Sequence, residues 1–380
     1  IYMNTKLIAM YLPQYHCIPE NDKFWGKGFT DWVTVKKANP LFKGHRQPRV
    51  PLNCNYYDLS KKENVAWQAK LAKEAGIYGF GVYHYWFNND TNILTKPAEL
   101  MRDNNDIDIN YFLAWDNGNW KRSWSNVSGN AWSPLADVDK QHKGPEILIP
   151  YILGKEKDWE NHYNYLRTHF LKSKYIKKDN KPIFIIFNYS NEIAEMNKYW
   201  DELAKKDGFD GVYIIYRNLY SGGFKNKSII PSSLYTFNYE PSHNGWFTTN
   251  LAQRIVRKSK KILGVGQNHQ STYFTYNYDK IWKDILTKAE NENNRPNIYH
   301  GAFVEYDDSP RRGNRGGRIV LGATPEKFAS YVKRIMDISQ KQGKEFVFLT
   351  AWNEWGEGAY LEPDTVTGNA YLDALKKVLL

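Results

Sequence analysis

Two carboxylates stand three residues apart, Glu354 and Glu357, in the stretch AWNEWGEGAYLEPD (351–364), with Asn353 between the indoles of Trp352 and Trp355 and glycines at Gly356 and Gly358. The stretch follows FVFLT (346–350), an unbroken apolar run that reads as a fully buried strand. Paired acids in an aromatic setting suit the cleavage of a glycosidic bond. One carboxyl protonates the leaving oxygen while a carboxylate supports the oxocarbenium-like centre. On this reading the indoles stack on pyranose faces, and Asn353, His84 and Asp116 hold hydroxyls. The plainer reading makes the two acids helix N-terminal or ion-pairing residues. Their place where a buried strand runs out, between two tryptophans, argues against it.

Such a pair needs a scaffold, and the chain contains one. Short apolar, β-branched and aromatic runs occur at 6–12, 78–87, 111–115, 182–187, 212–217, 233–239, 300–306 and 346–352, eight in all. Helical patterns lie between most of them, over about 61–75, 156–171, 191–206 and 251–263. Ser60 with Glu63 spells a capping box and Gly76 a stop signal for the first of these. Thr324 caps a further helix whose apolar face is Phe328, Val332, Ile335 and Ile338. Nearly continuous apolar strands alternating with helices predict a parallel sheet covered by helices, and eight is the number that closes a (β/α)8 TIM barrel. No Gly-rich phosphate turn follows the first strand, which weighs against a doubly wound sheet. No linker or repeat divides the chain, so residues 1–380 are read as a single domain, with elaborated loops at the C-terminal face of the strands.

In such a barrel, chemistry gathers at the C-terminal strand ends. Here those ends carry Tyr11, Gln14, Tyr15 and His16; Tyr83, His84, Tyr85 and Trp86; Trp115, Asp116 and Asn117; Asn188; Arg217; Tyr239 and Glu240; Glu305, Asp307 and Asp308; and Trp352 to Glu357. The opposite ends are mostly Lys, Asn and Asp. The loops FWGKGFTDW (24–32) and 115–132 are expected over the pocket through Trp25, Trp32, Trp120 and Trp124, although the same indoles also suit loop packing. The basic turn SPRRGNRGGR (309–318) is expected to pair Arg311 or Arg312 with Asp307, Asp308 or Glu357, the alternative being an anion site.

Composition narrows the rest. Aromatic residues make up 16% of the chain, which suits ligands with an apolar face and a hydroxylated rim as well as core packing. The net charge of +11 is dispersed over helix patterns, and no nucleic-acid-binding signature accompanies it. Cys17 and Cys54 form neither a disulfide framework nor a metal spacing. The histidines contain no His-Glu-x-x-His, and the Asp-Ile-Asp at 106–108 lies before a strand and reads as a turn, so no metal or other cofactor is expected. No run reaches a membrane-spanning length. With Met3 taken as the native start, the absence of a leader pattern predicts a cytoplasmic protein; a leader removed beforehand would make it periplasmic or secreted.

The stretches YLPQYHCIPENDKFWGKGFTDW, LFKGHRQP, GIYGFGVYHYWF, SPRRGN and AWNEWGEGAYLEPD closely resemble the WbsX family, over residues 7 to about 373. That family occurs in bacterial polysaccharide clusters and is similar to glycoside hydrolase family 99, whose members are endo-acting α-mannosidases. The resemblance implies a (β/α)8 barrel. It also implies that Glu354 acts as a base on the substrate 2-hydroxyl and Glu357 as the general acid/base, with retention through the sugar's own oxygen. Two departures stand out. The family's Trp-Ala-Asn-Glu-Asn-Trp is here Trp115-Asp-Asn-Gly-Asn-Trp120, so Gly118 replaces a Glu and Asp116 is gained; Asp308 stands in place of an Asn.

Three functions are expected from these residues. The first is a retaining glycoside hydrolase or transglycosidase acting on an α-mannoside- or rhamnoside-like linkage of a bacterial surface polysaccharide. The second is a glycosyltransferase of polysaccharide assembly, and the third a non-catalytic glycan-binding protein. The partner expected in each case is an oligo- or polysaccharide, with no nucleic acid.

Overall fold

In a computed structural model, which describes residues 4–123, 145–219, 230–245, 272–313 and 315–380, the expected apolar runs form eight parallel strands. They are β1 (Lys6–Tyr11), β2 (Gly79–Asn88), β3 (Asn110–Trp115), β4 (Lys181–Ile186), β5 (Tyr213–Asn218), β6 (Thr236–Asn238), β7 (Ile298–Phe303) and β8 (Phe346–Thr350). Each pairs with the next, and β8 returns to β1 with Leu7 opposite Val347. The barrel is therefore closed, and no strand edge is left open. Helices α1 (Lys62–Glu74), α2 (Lys96–Asp103), α3 (Glu156–Phe170), α4 (Asn191–Lys206), α5 (Tyr278–Asn291), α6 (Pro325–Lys341) and α7 (Ala370–Leu379) cover it. The helix expected at 251–263 lies outside the described residues.

Local chemistry explains most helix ends. Ser190 accepts from Ile193 N at 3.2 Å, and Thr324 accepts from Lys327 N at 3.2 Å, as N-caps should. The capping box expected of Ser60 does not form. Asp58 Oδ1 takes the Ser60 N–H at 2.8 Å in a local turn, and α1 starts one residue later from Lys61 without a side-chain cap.

The lumen is packed rather than open. Phe348 meets Phe112 at 6.0 Å and Phe237 at 4.9 Å between ring centroids, so β8, β3 and β6 fill the interior from three sides. A side chain at Gly81 would strike Met10 and Phe112, which puts all three positions in the same inner layer. Strand alternation then decides the rim. Tyr83 and Tyr85 of β2 point inward like Gly81, whereas His84 and Trp86 point out toward the helices. In β3, Asp116 follows Phe112 to the inside, and Trp115 faces out.

Candidate active site

After β8 the chain makes a tight hairpin. Asn353–Glu354 pairs antiparallel with Ala359–Tyr360, and one helical turn, Trp355–Glu357, joins them. Both glycines of this turn are required. A Cβ on Gly356 would come within 2.6 Å of Arg311 Nε and 2.9 Å of Asp31 Oδ2. Gly358 has φ 60° and sits against the Asp307 backbone, where a Cβ would lie 3.0 Å from its nitrogen. The Asp307 N–H in turn bonds the Glu357 carbonyl at 2.6 Å.

This turn presents Glu354 and Glu357 together, close enough for the charge of one to act on the other. Glu354 is 4% exposed and accepts from Tyr83 Oη at 2.5 Å and Tyr239 Oη at 3.3 Å. Burial, then the charge of Glu357, pushes its pKa up to about 8, against the pull of Arg311 and the Tyr83 hydrogen bond. Glu354 is therefore the member that holds a proton at neutral pH. Glu357 instead accepts from Arg311 Nη1 at 3.1 Å, and Arg311 reaches Asp31 Oδ2 with its other amino group at 3.3 Å. Burial also raises the Tyr83 and Tyr239 phenols well above their ordinary values, with Glu354 adding to the shift, which keeps both as donors.

Around the pair, the inward positions of successive strands meet. Tyr85 carries a hydrogen bond with Gln14 and feels the charges of Asp116 and Glu354. Burial raises the Asp116 pKa, and Arg217 opposes it. The Arg217 guanidinium lies 4.0 Å from the centre of the Phe187 ring and 5.6 Å from that of Tyr239. Asn117 ties two strand ends together, donating to Asn188 O at 2.8 Å and accepting from Asn188 N at 2.7 Å. Asp307 is fully buried beneath the turn, bonded to His45 Nε2 at 2.9 Å and Gln47 Nε2 at 2.8 Å. Burial alone would raise its pKa; His45, Arg49, Ser309 and Gln47 together bring it below the ordinary value. Arg312 Nε donates to Asp308 Oδ2 at 2.7 Å, and Arg318 reaches the same carboxylate at 2.6 Å. The extra charge of Asp308 is thus held between two guanidinium groups.

Several residues singled out from the sequence are not brought to this pair. His84 faces α3, its Nε2 2.8 Å from His162 Nε2 and its ring stacked on Tyr165 at 5.6 Å; burial pushes its pKa down to about 3. Trp86 stacks on His162 at 4.4 Å, and Trp115 Nε1 donates to Trp86 O at 2.8 Å. All three follow from the outward phase of their strands. Tyr11 likewise points out, donating to Gln68 Oε1 at 2.6 Å. Asn353 offers no free amide to a hydroxyl, because it bonds the Leu12 backbone on both sides, at 2.7 and 2.9 Å.

The flanking indoles are not sugar platforms either. Trp352 and Trp355 are at most 1% exposed, with Trp352 against Phe80 and Trp355 stacked on Tyr360 at 3.7 Å. Trp32 is buried under Trp355 at 5.5 Å, which fits the loop-packing alternative. Trp120 is buried against Tyr85 at 5.6 Å, Trp25 is half-buried beside Phe29, and His16 bonds Pro13 O at 3.0 Å. Trp124 lies outside the described residues. Tyr83 and Tyr239, named from the sequence only as strand-end residues with no role, touch Glu354, and Asp31, which was not singled out, touches Arg311. The signal for the two tyrosines was their inward phase at a strand end.

A model of the family described as glycosyltransferase WbsX matches residues 7–375. The chain belongs to that family. The description places it among carbohydrate-active enzymes. A relative, the uncharacterized protein WxcX of Xanthomonas campestris pv. campestris, is 29% identical over 98% of this chain and 49% of its own length. The chain thus spans about half the length of the curated relatives it matches. Among solved structures, a glycoside hydrolase-like protein is similar at a TM-score of 0.54 and 13% identity, over 99% of this chain and 94% of the other. A family 99 endo-α-mannosidase from Bacteroides thetaiotaomicron is similar at a TM-score of 0.54 and 11% identity, over 98% and 95%. These likenesses establish the shared barrel. Among the described residues no group of three or more His, Cys, Asp or Glu side chains is arranged to hold a metal, and no helix is long and apolar enough to cross a membrane.

Proposed function

We propose that this WbsX-family chain is a retaining glycoside hydrolase or transglycosidase acting on an α-mannoside- or rhamnoside-like linkage of a bacterial surface polysaccharide. The observation that carries the reading is the buried Glu354 beside Glu357 at the rim of a (β/α)8 barrel, its pKa pushed up to about 8 by burial and then by the charge of Glu357. α-Mannosides and α-rhamnosides both place the 2-hydroxyl trans to the leaving group, so the 2-oxygen can displace it from behind. Glu354 takes the 2-hydroxyl proton as the 2-oxygen bonds to the anomeric carbon. The glycosidic bond breaks, and Glu357 gives its proton to the departing oxygen. In the second step Glu357 removes a proton from water, or from an acceptor hydroxyl, as that oxygen attacks the anomeric carbon and the bond from the 2-oxygen to that carbon breaks. Glu354 then returns its proton to the 2-oxygen, and the configuration is retained.

The free enzyme supports these roles with one adjustment. A base with a pKa of about 8 is far better matched to a hydroxyl proton than an ordinary carboxylate. For reaction the proton must sit on Glu357 with Glu354 ionised, a redistribution within the pair. The titration therefore belongs to the pair rather than to either acid. Incubation with α-mannan, rhamnan and O-antigen fragments should release products of retained configuration, and Glu357→Gln should abolish the release. Equal rates for wild type and Glu357→Gln on a cleaved glycan would refute the assignment of the acid.

The family's description favours a second reading, glycosyl transfer during polysaccharide assembly. Nucleotide sugars should then stabilise the protein, by about 2.7 kcal/mol at a hundredfold excess over Kd. A flat thermal-shift response across a nucleotide-sugar panel counts against such donors.

A further inference from the structure

A cleft of about 670 Å³ opens beside the barrel mouth, between α1, the segment 51–57 and the loop after the hairpin. Neither Glu354 nor Glu357 lines it. Its floor is the buried trio Tyr57, Trp355 and Glu362, and Trp67 of α1 and Tyr56 stand half-buried on its walls. The amides of Asn53, Asn55 and Asn369 edge its mouth. The size is that of ligand sites in general. At its lip two consecutive non-glycine residues, Asn53 and Cys54, take left-handed φ values of 57° and 53°. Such backbone is uncommon outside glycine and clusters at ligand clamps.

The lining chemistry selects among ligands. Among the described residues no Lys or Arg lines the cleft, and the Lys36 ammonium beside it is already engaged over the Tyr56 ring, 4.0 Å from its centre. The one acid, Glu362, already accepts from Gln68 Nε2, Tyr57 Oη and Trp355 Nε1, each at 2.7 Å, and is not available as an open anionic site for a cation. What remains is the half-buried ring surface of Trp67 and Tyr56, edged by side-chain amides, above the buried rings of Tyr57 and Trp355. Apolar ring faces with amide donors and acceptors at their edge match a neutral pyranose, which has an apolar C–H face and a hydroxylated perimeter.

We propose that this cleft is a second saccharide-binding site, which holds a neutral sugar of the polymer away from the carboxyl pair. The proposal rests on the saccharide reading of the chain. It also carries a structural link to the reacting site. Trp355 and Glu362 form the floor of the cleft and at the same time anchor the turn that bears Glu354 and Glu357. A polymer held here is delivered to the acids by its continuity, so the cleft raises affinity for long chains and not for short glycosides.

The test separates this site from turnover. The 380-residue chain labelled with 5-fluorotryptophan is titrated with methyl α-mannoside, methyl α-rhamnoside and α-mannan, in wild type and in Glu354→Gln. The fluorine resonance missing from Trp67→Phe should shift with the sugars in both proteins, and Trp67→Ala should weaken α-mannan binding about tenfold in affinity electrophoresis. Asn53→Ala, which leaves the aromatic wall intact, should weaken it in the same direction. A Trp67 resonance that stays fixed across the sugar panel overturns the site, as does one that moves with inorganic phosphate but with no sugar. If no glycan is cleaved by wild type while the Trp67 resonance still shifts, the hydrolase reading fails and the binding site stands.

Discussion

The buried histidines of β2 and α3 make acid sensitivity calculable. His84 and His169 are buried, and desolvation holds both near a pKa of about 3, against 6.5 in an unfolded chain. Each is neutral in the fold. The stability tied to that difference is fully present above pH 6.5 and drains as the pH falls toward 3. At pH 5 the unfolded state gains about 1.5 pKa units of protonation free energy per histidine, or roughly 2 kcal/mol. Two buried acids oppose this loss. Glu354 and Glu362, with pKa values pushed up to about 8 and about 7, take up protons in the fold before the unfolded chain does, so acidification stabilises them.

The total change for wild type is therefore uninformative, and the difference between proteins is what reads His84. His84→Gln keeps a hydrogen-bonding group toward His162 and removes one titrating ring. Urea unfolding at pH 8 and pH 5 should show the variant losing about 2 kcal/mol less than wild type over that interval. Identical pH dependence in the two proteins would refute the burial argument. It would mean that the His84 ring titrates freely in the folded protein, as a histidine at the mouth of the site would.

Other consequences follow from the same contacts. On any glycan that is cleaved, kcat/KM should fall above about pH 8, where the carboxyl pair loses its proton. Arg311→Met removes a cation that holds Glu354 down, and should move that alkaline limb upward at a stability cost of about 3 kcal/mol; an unmoved limb would disconnect Arg311 from the pair. A Cβ at Gly118 meets only Asn188 Nδ2, at 3.8 Å, so Gly118→Glu should fold with stability within about 0.5 kcal/mol of wild type by thermal melts and restore the carboxylate usual in the family. Asp308→Asn leaves Arg312 and Arg318 facing a neutral, single-oxygen acceptor and should cost roughly 2–3 kcal/mol in urea unfolding; no loss would mean that the two guanidinium groups are solvated.

The barrel was legible because its signal is repeated. Each run of apolar, β-branched residues reports the same environment, a strand covered on both faces, and the structure has a strand at all eight places. What a run of that kind hides is its phase. When both faces are buried, no polar alternation marks which residue looks into the lumen, so His84 and Trp115 seemed equivalent to Tyr83 and Asp116. The phase becomes visible only from a partner strand, here through the layer that Met10, Gly81 and Phe112 share. The cap of α1, though not its span, was misread for a different reason. A serine followed three residues later by a glutamate is a local pattern, and Asp58 supplied a local competitor for it.

The same distinction answers why two carboxylates sit among tryptophans at the end of a buried strand. The indoles are there for the turn. Trp355 lies between Tyr360 on one face and Trp32 nearby, and its Nε1 is held by Glu362, so the residue that follows Glu354 has no freedom to move. Tyr15 Oη donates to the Asn353 carbonyl and accepts from Trp355 N, which clamps the backbone on both sides of Glu354. Gly356 then lets Arg311 and Asp31 approach from the other side, and Arg311 sets the orientation of Glu357. Two acids that repel each other are thereby kept close by a surround that does not yield. Burial, and then their mutual repulsion, is expressed as the raised pKa of Glu354 instead of a displacement.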